Sequence, residues 1–264
     1  MKILTTPWKD DLLEMVFQSK KSIKITSPFV KYNVCKELLD AKNSFTKFEL
    51  ITSFKLMNIY SGSLDISAIE SVLDKNGIVK NFSKLHSKIY LFDDTSAVIT
   101  SGNLTNGGLL NNFEYGIFLN ERNIVQKITN DFNSISTNEN TGVIKRTDLS
   151  IVKKILANIP KVQTSNIPHY KVDTPEENFD IIETSSNNIS SSLTGWKLDV
   201  FNCLVNIQKQ EFTLEEIYSF EKSLQKLHPE NNNVKDKIRQ QLQILRDIGL
   251  LEFLGSGNYK KLWK

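Results

Sequence analysis

A histidine and a lysine two residues apart are the groups in this sequence best suited to chemistry on phosphate. His86 and Lys88 begin the run His-Ser-Lys-Ile-Tyr-Leu-Phe-Asp, which ends at Asp93, and a second short segment supplies Ser101 and Asn103. An imidazole can attack phosphorus, an ammonium can balance the phosphate charge, and serine and asparagine can donate hydrogen bonds to its oxygens. These residue types predict phosphodiester cleavage that needs no metal ion and no cofactor.

The spacing predicts how these side chains are held. Alternate residues of a strand share a face, so a strand over 85–92 would project His86 and Lys88 side by side. Ser101 and Asn103 have the same two-residue relation on a following extended stretch. The leaving oxygen needs a second imidazole as proton donor, and the motif supplies one histidine only.

The pattern His-x-Lys-x4-Asp followed by Ser-x-Asn resembles the signature of the phospholipase D superfamily, over about residues 1–150. The resemblance implies an α/β/α sandwich in which His86 is the nucleophile and, from a second subunit, the general acid. Lys88, Ser101 and Asn103 would hold the phosphate. Family members with a single motif dimerise, so a homodimer through this domain is expected.

Other positions of the motif carry further expectations from the same resemblance. Glu114 matches the acidic residue that orients the histidine, and Asp93 matches the motif aspartate, which is more often structural than catalytic. The sequence departs at Thr100, where the family commonly has glycine. A second His-x-Lys run at His169 has no Ser-x-Asn behind it, and we interpret it as a chance match. The alternative for His86 is a core histidine on a buried strand.

Helical and strand patterns alternate through the first 150 residues and predict an α/β sandwich with helices covering a largely internal sheet. Apolar spacing predicts helices around 8–17, 34–39, 66–73 and 124–132, and strands at 22–26, 48–52, 78–79, 85–92, 97–100 and 114–119. We assign residues 1–163 to this domain and the polar, acidic stretch 164–195 to a linker.

Residues 196–264 predict three helices and a hairpin, the order of a winged helix. Thr213 and Glu216 have capping-box spacing, Asn233 can cap the third helix, and that helix carries an apolar stripe at Val234, Ile238, Leu242 and Leu245. Polar side chains suited to base edges and phosphates are predicted to bind double-stranded DNA: Asn231, Asn232, Lys235, Arg239, Gln240 and Gln243 on the helix and its tip, and Ser256, Asn258, Lys260 and Lys261 on the wing.

The second block resembles the C-terminal winged helix of the methyl-directed restriction enzyme DpnI over roughly 196–264. The runs that carry this resemblance begin at Phe212, His228, Lys235 and Leu251. Together the two resemblances imply a metal-independent type II restriction endonuclease whose winged helix chooses the site, with methylated DNA either required or not. A DNA-binding regulator with an inactive nuclease domain and a phospholipase D-type lipid phosphodiesterase remain alternatives.

Composition narrows the class of protein but does not name a partner. Residues 1–165 hold 21 Lys and Arg against 16 Asp and Glu, while 196–264 hold 11 against 9, so both blocks are mildly basic. This charge permits a nucleic-acid partner without requiring one. Cys35 and Cys203 are too few for a disulfide framework or a zinc site. No apolar run suits a membrane span or a signal peptide, and we expect a cytoplasmic protein.

Overall fold

The computed structural model of the protein describes residues 1–159 and 186–263. These residues form two compact units, Met1–Leu149 and the described part of Ser150–Lys264. The second unit therefore begins before the predicted linker at 164–195. The first unit carries the His86 motif, and the second carries the three helices and the hairpin.

An eight-stranded mixed sheet organises the first unit. Its order is β1-β7-β6-β5-β2-β3-β4-β8, in which β2, β3 and β4 run parallel and the other neighbours are antiparallel. The strands are β1 Lys2–Thr5, β2 Ser22–Thr26, β3 Lys47–Thr52, β4 Ile78–Phe82, β5 Ile89–Phe92, β6 Ser96–Thr100, β7 Tyr115–Leu119 and β8 Thr141–Val143. The helices are α1 Lys9–Gln18, α2 Tyr32–Ala41, α3 Leu56–Tyr60, α4 Ile66–Asp74 and α5 Arg122–Ser136, with a π-helical turn at Gly107–Asn111. A further helix, α6 Arg146–Ala157, contains the boundary between the two units.

The amphipathic patterns of the sequence explain how helices cover this sheet. Leu91, Ala97 and Leu119 lie on one face of β5, β6 and β7, and α5 packs over them through Val125, Ile128 and Phe132. On the parallel side, α4 packs against β4 and α2 packs against α4. The predicted α/β fold is confirmed.

The strand that was predicted to carry His86 begins later than expected. β5 starts at Ile89, and residues 85–88 precede it outside any regular strand. The amide of Ile89 donates to Oγ1 of Thr26 at 3.1 Å. At the end of the β2–β5 pairing, the Thr26 side chain therefore accepts the hydrogen bond that a backbone carbonyl would otherwise accept. The elements β1, β8 and α6 were not predicted, since the two strands have only four and three residues.

The second unit is the predicted winged helix. Its elements are α7 Ser186–Ser190, α8 Trp196–Asn206, β9 Glu211–Thr213, α9 Leu214–Tyr218, α10 Glu221–Leu227, α11 Val234–Asp247, β10 Leu251–Gly255 and β11 Asn258–Lys261. The hairpin β10–β11 is joined by β9 into a three-stranded sheet. The stripe predicted for α11 is buried throughout.

Local details of this unit differ from the prediction at three places. Thr213 and Glu216 form the expected capping box, but the side chain of Asn233 makes no cap hydrogen bond. The helix predicted through 217–224 is two short helices, and at the end of the first one the hydroxyl of Ser219 donates to the Glu216 carbonyl at 2.6 Å. Within the described part of the predicted linker, α7 buries Ile189 completely, which a solvated linker would not do.

Candidate active site and nucleic-acid interface

The segment before β5 places His86 and Lys88 side by side. Nζ of Lys88 lies 3.5 Å from Nδ1 of His86 and donates 2.8 Å to the His86 carbonyl. His86 is exposed and Lys88 is half-buried, so both can meet a ligand. The amide of Thr100 donates 3.1 Å to the Lys88 carbonyl, which joins this segment to the one that carries Ser101. The two halves of the motif are therefore adjacent.

Ser101 is held by the first residue of β7 and the residue before it. Its hydroxyl donates to the carboxylate of Glu114 and accepts from the amide of Tyr115 at 3.1 Å. The other carboxylate oxygen of Glu114 accepts from Nδ2 of Asn112 at 3.3 Å. Among the described residues, Glu114 thus orients Ser101 and has no hydrogen bond to His86. Its role in orienting His86 stays a prediction.

The side-chain amide of Asn103 is held through its oxygen, and its nitrogen makes no hydrogen bond to the described residues. Its Oδ1 accepts from the amide of Phe29 at 3.4 Å and from the hydroxyl of Ser27 at 3.5 Å. Ser27 also accepts from the amide of Leu104 at 2.9 Å, which fixes the loop. Nδ2 of Asn103 has no hydrogen-bond partner within 1–159 and 186–263. That nitrogen is a donor available to an anion.

The structure accommodates Thr100 at the position where the phospholipase D superfamily commonly has glycine. It pairs across β6 and β7 with Gly116, and a Cβ at Gly116 would lie 2.8 Å from Cβ of Thr100. Oγ1 of Thr100 donates to the Tyr115 carbonyl and accepts from the Gly102 amide, both at 3.1 Å. The missing side chain at Gly116 therefore makes room for threonine, and the threonine in turn anchors the start of the loop.

Asp93 lies in the turn between β5 and β6 and binds backbone. Its carboxylate accepts the amides of Lys20 at 2.8 Å, Lys21 at 2.7 Å and Ser22 at 2.9 Å. Partial burial opposes ionisation, but these three donors outweigh it and hold the pKa of Asp93 below its usual value. The residue joins the start of β2 to the turn after the motif.

Two residues that support the site gave no sequence signal. Tyr90 is fully buried and donates 3.1 Å to the Gly102 carbonyl, while burial and then the charge of Glu114 raise the pKa of its hydroxyl. Thr6 accepts the Glu114 amide at 3.2 Å and donates to the Asn112 carbonyl. Thr6 and Glu114 are 108 residues apart, so no local pattern could relate them.

A row of isoleucines is exposed beside the site. Ile3, Ile117 and Ile99 are directly opposite one another on β1, β7 and β6 and therefore share a face. They are 58%, 37% and 42% exposed, respectively. Tyr115, two positions before Ile117, is on the same face and is also exposed. α5 covers this face further along the strands but leaves the row open to solvent.

In the second unit, α11 presents the predicted polar face. Lys235, Arg239 and Gln243 recur at four-residue spacing and are exposed, as are Asn232 and Gln240. Asn231 is half-buried, and its Oδ1 accepts the Asn233 amide at 2.8 Å, so it stabilises the turn before the helix.

On the wing, one predicted contact is wrong. Ser256 and Asn258 are exposed in the turn and Lys260 is half-buried, as a backbone contact requires. Lys261 is instead buried, and its ammonium donates to the Ile207 carbonyl. Burial lowers the pKa of Lys261 and removes it from the set of phosphate contacts.

The remaining sequence features concern the second His-x-Lys run, metal ligands and membrane-spanning helices. The second His-x-Lys run at His169 lies outside them. Residues 1–159 and 186–263 contain no group of three or more His, Cys, Asp and Glu that could hold a metal ion. No helix in the same residues is long and apolar enough to cross a membrane.

Comparison with known proteins identifies both units. Residues 12–136 match the family described as "Cardiolipin synthase, PLD-like domain", and residues 192–261 match DpnI_C, described as "Dam-replacing HTH domain". The chain joins a phospholipase D-like domain to a DpnI-type winged helix.

Several solved structures are similar to about half of this chain. Nuc from Salmonella typhimurium, a phospholipase D family member, is 14% identical with a TM-score of 0.46, over 55% of this chain and 97% of that one. NucT from Helicobacter pylori is 16% identical with a TM-score of 0.42, over 51% and 93%. Phosphatidylserine synthase from Haemophilus influenzae Rd KW20 is 14% identical with a TM-score of 0.43, over 55% and 40%.

Proposed function

We propose that the protein is a metal-independent, site-specific DNA endonuclease of the restriction type, in which the winged helix chooses the site. One observation carries the proposal: the adjacent His86 and Lys88 stand beside the Ser101 segment in a chain that also has a DpnI-type winged helix. Together, a phosphate-directed site and a DNA-binding domain in one polypeptide support cleavage of DNA more strongly than either does alone.

The available groups suit a two-step hydrolysis. A neutral imidazole of His86 attacks phosphorus, so that a P–N bond forms while the P–O bond to the leaving oxygen breaks. Lys88 balances the charge on the phosphate and Asn103 donates to its oxygens, and Ser101 donates to them after its hydroxyl turns from the Glu114 carboxylate towards the phosphate. A second imidazole protonates the leaving oxygen and then takes a proton from the water that breaks the P–N bond.

The second imidazole would come from a second copy of the chain. The sequence has three histidines, and His86 is the only one in the first unit. The isoleucine row at Ile3, Ile99 and Ile117 supports this arrangement, because an apolar face open to solvent on strands next to Ser101 suits burial against an identical face. A dimer with one shared cleft would cut the two DNA strands in succession.

Digestion of plasmid DNA in excess EDTA tests the proposal. Wild type and His86→Ala are compared on adenine-methylated and unmethylated plasmid, with binding measured in parallel. We expect discrete fragments from wild type only, and the methylation comparison reports what the winged helix requires. A strict need for Mg²⁺ contradicts the mechanism. Tight binding without cleavage favours a DNA-binding regulator, and turnover of phospholipid instead of DNA favours a lipid phosphodiesterase.

A matched pair of lysines sharpens the test. Lys88→Ala is expected to lower cleavage at saturating DNA by about 100-fold or more, as removal of a charge-stabilising donor does. Lys84→Ala, which removes an exposed lysine two residues on the other side of His86, is expected to change it by no more than about twofold. Equal losses from both variants would indicate general charge attraction to DNA and not a catalytic contact.

A further inference from the structure

Tyr218 lies beneath the basic face of α11. It is the last residue of α9, and its ring carries two cations: Nζ of Lys235 is 5.3 Å and Cζ of Arg239 is 5.7 Å from the ring centroid. These are the first two exposed basic side chains along the helix predicted to enter the DNA groove. An aromatic face attracts cations, so the ring limits the positions that both side chains adopt.

The hydroxyl of Tyr218 is a donor without an acceptor. Its oxygen is shielded from solvent and has no hydrogen-bond partner among the residues that the structure describes. Buried tyrosine hydroxyls are normally paired, and an unmet one is unfavourable. The nearby groups of Lys235 and Arg239 are themselves donors and cannot accept its proton. The group that this cluster lacks is an acceptor.

The acidic side chains near the two cations do not supply it. Glu221 is 3.6 Å from Nζ of Lys235, and Asp236 is 3.9 Å from Arg239. Both pairs are exposed and long, so they are weak and can exchange partners. A phosphate oxygen would accept from a hydroxyl and an ammonium together.

We propose that Tyr218 is a DNA-backbone contact: its hydroxyl donates to a phosphate oxygen that Lys235 also binds, and its ring directs Arg239 towards the groove. The inference rests on the proposed DNA-reading role of the winged helix. In the unbound protein the two cations lie on the ring. When Lys235 turns towards a phosphate, the phenol gains access to the same oxygen.

If Tyr218 has this role, Tyr218→Phe keeps or raises thermal stability but lowers the affinity for DNA. Losing an unpaired hydroxyl does not destabilise the unbound protein, so the melting temperature stays the same or rises. Losing the phosphate hydrogen bond weakens DNA binding by about 5- to 10-fold. A purely structural tyrosine would behave differently, since affinity would fall only together with thermal stability.

Salt dependence separates the hydroxyl from its charged neighbour. Because tyrosine is uncharged, Tyr218→Phe leaves the slope of log affinity against log salt unchanged. Lys235→Ala lowers that slope by about 0.9, the value for one phosphate contact on duplex DNA. Tyr218→Leu, which also removes the ring, weakens binding further.

The experiment uses full-length protein with the His86→Ala background and a labelled duplex of arbitrary sequence, because a phosphate contact is independent of sequence. Fluorescence anisotropy over a salt series gives the affinities, and thermal unfolding gives the stability. Tyr259→Phe is the control: its ring stacks on Phe212 and Phe253, and binding should change by less than about twofold.

Each outcome decides the inference. Weaker binding by Tyr218→Phe with unchanged slope and undiminished melting temperature supports it. Binding within about twofold of the parent overturns it, as does a loss of affinity that follows a loss of stability. If the parent itself does not bind duplex DNA, the proposed function of the winged helix fails, which is a separate result.

Discussion

The substitution Asp93→Asn should destabilise the first unit without entering the chemistry. Asp93 has φ +55°, a left-handed conformation that asparagine tolerates, so the backbone itself is not strained by the change. The carboxylate accepts three backbone amides, two on Oδ1 and one on Oδ2. Asparagine keeps one oxygen and places an NH₂ group against the amide of Lys20. One hydrogen bond is lost, and two lose their charge assistance.

The magnitude follows from these bonds. A hydrogen bond to a charged group contributes about 1.5–3 kcal/mol and a neutral one about 0.5–1.5 kcal/mol. The sum over three bonds is reduced because the carboxylate is only half-buried and is screened by solvent. We expect a loss of about 2 kcal/mol in the free energy of unfolding at pH 7.

The pH dependence has a definite sign. The pKa of Asp93 is lowered in the folded state, so its contribution is fully present above the unfolded value of about 3.9. It is lost as the pH falls through the lower folded value. The difference between wild type and Asp93→Asn should therefore be constant from neutral pH to about pH 5 and shrink below about pH 4.

Urea unfolding followed by pulsed hydrogen exchange measures the first unit separately from the winged helix. Asp94→Asn is a matched control, because Asp94 also has a left-handed backbone, φ +54°, but its carboxylate is 40% exposed and pairs with a lysine, Lys24, instead of with backbone amides. It should cost less than about 1 kcal/mol. Equal losses from both variants, or a loss for Asp93→Asn that is undiminished at pH 3, would refute the reasoning. Loss of cleavage without loss of stability would assign Asp93 to catalysis.

Two further substitutions test the dimer and the winged helix. Ile99→Asp should yield a monomer by analytical ultracentrifugation that binds DNA but does not cleave it. Ile124→Asp, on α5 and 41% exposed, should leave the oligomeric state unchanged, and a cleaving Ile99→Asp monomer would exclude the shared cleft. Thr213→Ala removes the capping box and should lower the stability of the second unit by about 1 kcal/mol in urea unfolding. Thr213→Ser keeps the hydroxyl, so a similar loss from it would show that the cap hydrogen bond is not the cause.

Local sequence was sufficient for the architecture and for the first pair of site residues. The alternation of helical and strand periods predicted the α/β class, and the stripe from Val234 to Leu245 predicted α11. The two-residue spacing predicted that His86 and Lys88 lie side by side, and their side chains approach to 3.5 Å even though the strand itself begins only at Ile89. Such relations span a few residues and depend on covalent geometry.

The surroundings of Ser101 were decided by the tertiary structure. Glu114 holds Ser101, and Thr6, the residue after β1, in turn accepts the Glu114 amide. The register of β6 with β7 places Gly116 opposite Thr100 and so makes the threonine possible. Likewise, the sequence predicted Lys261 as a phosphate contact, but in the folded protein its side chain is buried.

The difference has a physical reason. Spacing along the chain determines which side chains share a face of one element, because the period of a strand or helix is fixed by its backbone. Contacts between elements depend on strand order and register, which the whole sheet sets by burying its apolar faces together. The sequence by itself therefore determined the type of chemistry and the two-part architecture, and only the tertiary structure decided which partners hold each reacting group.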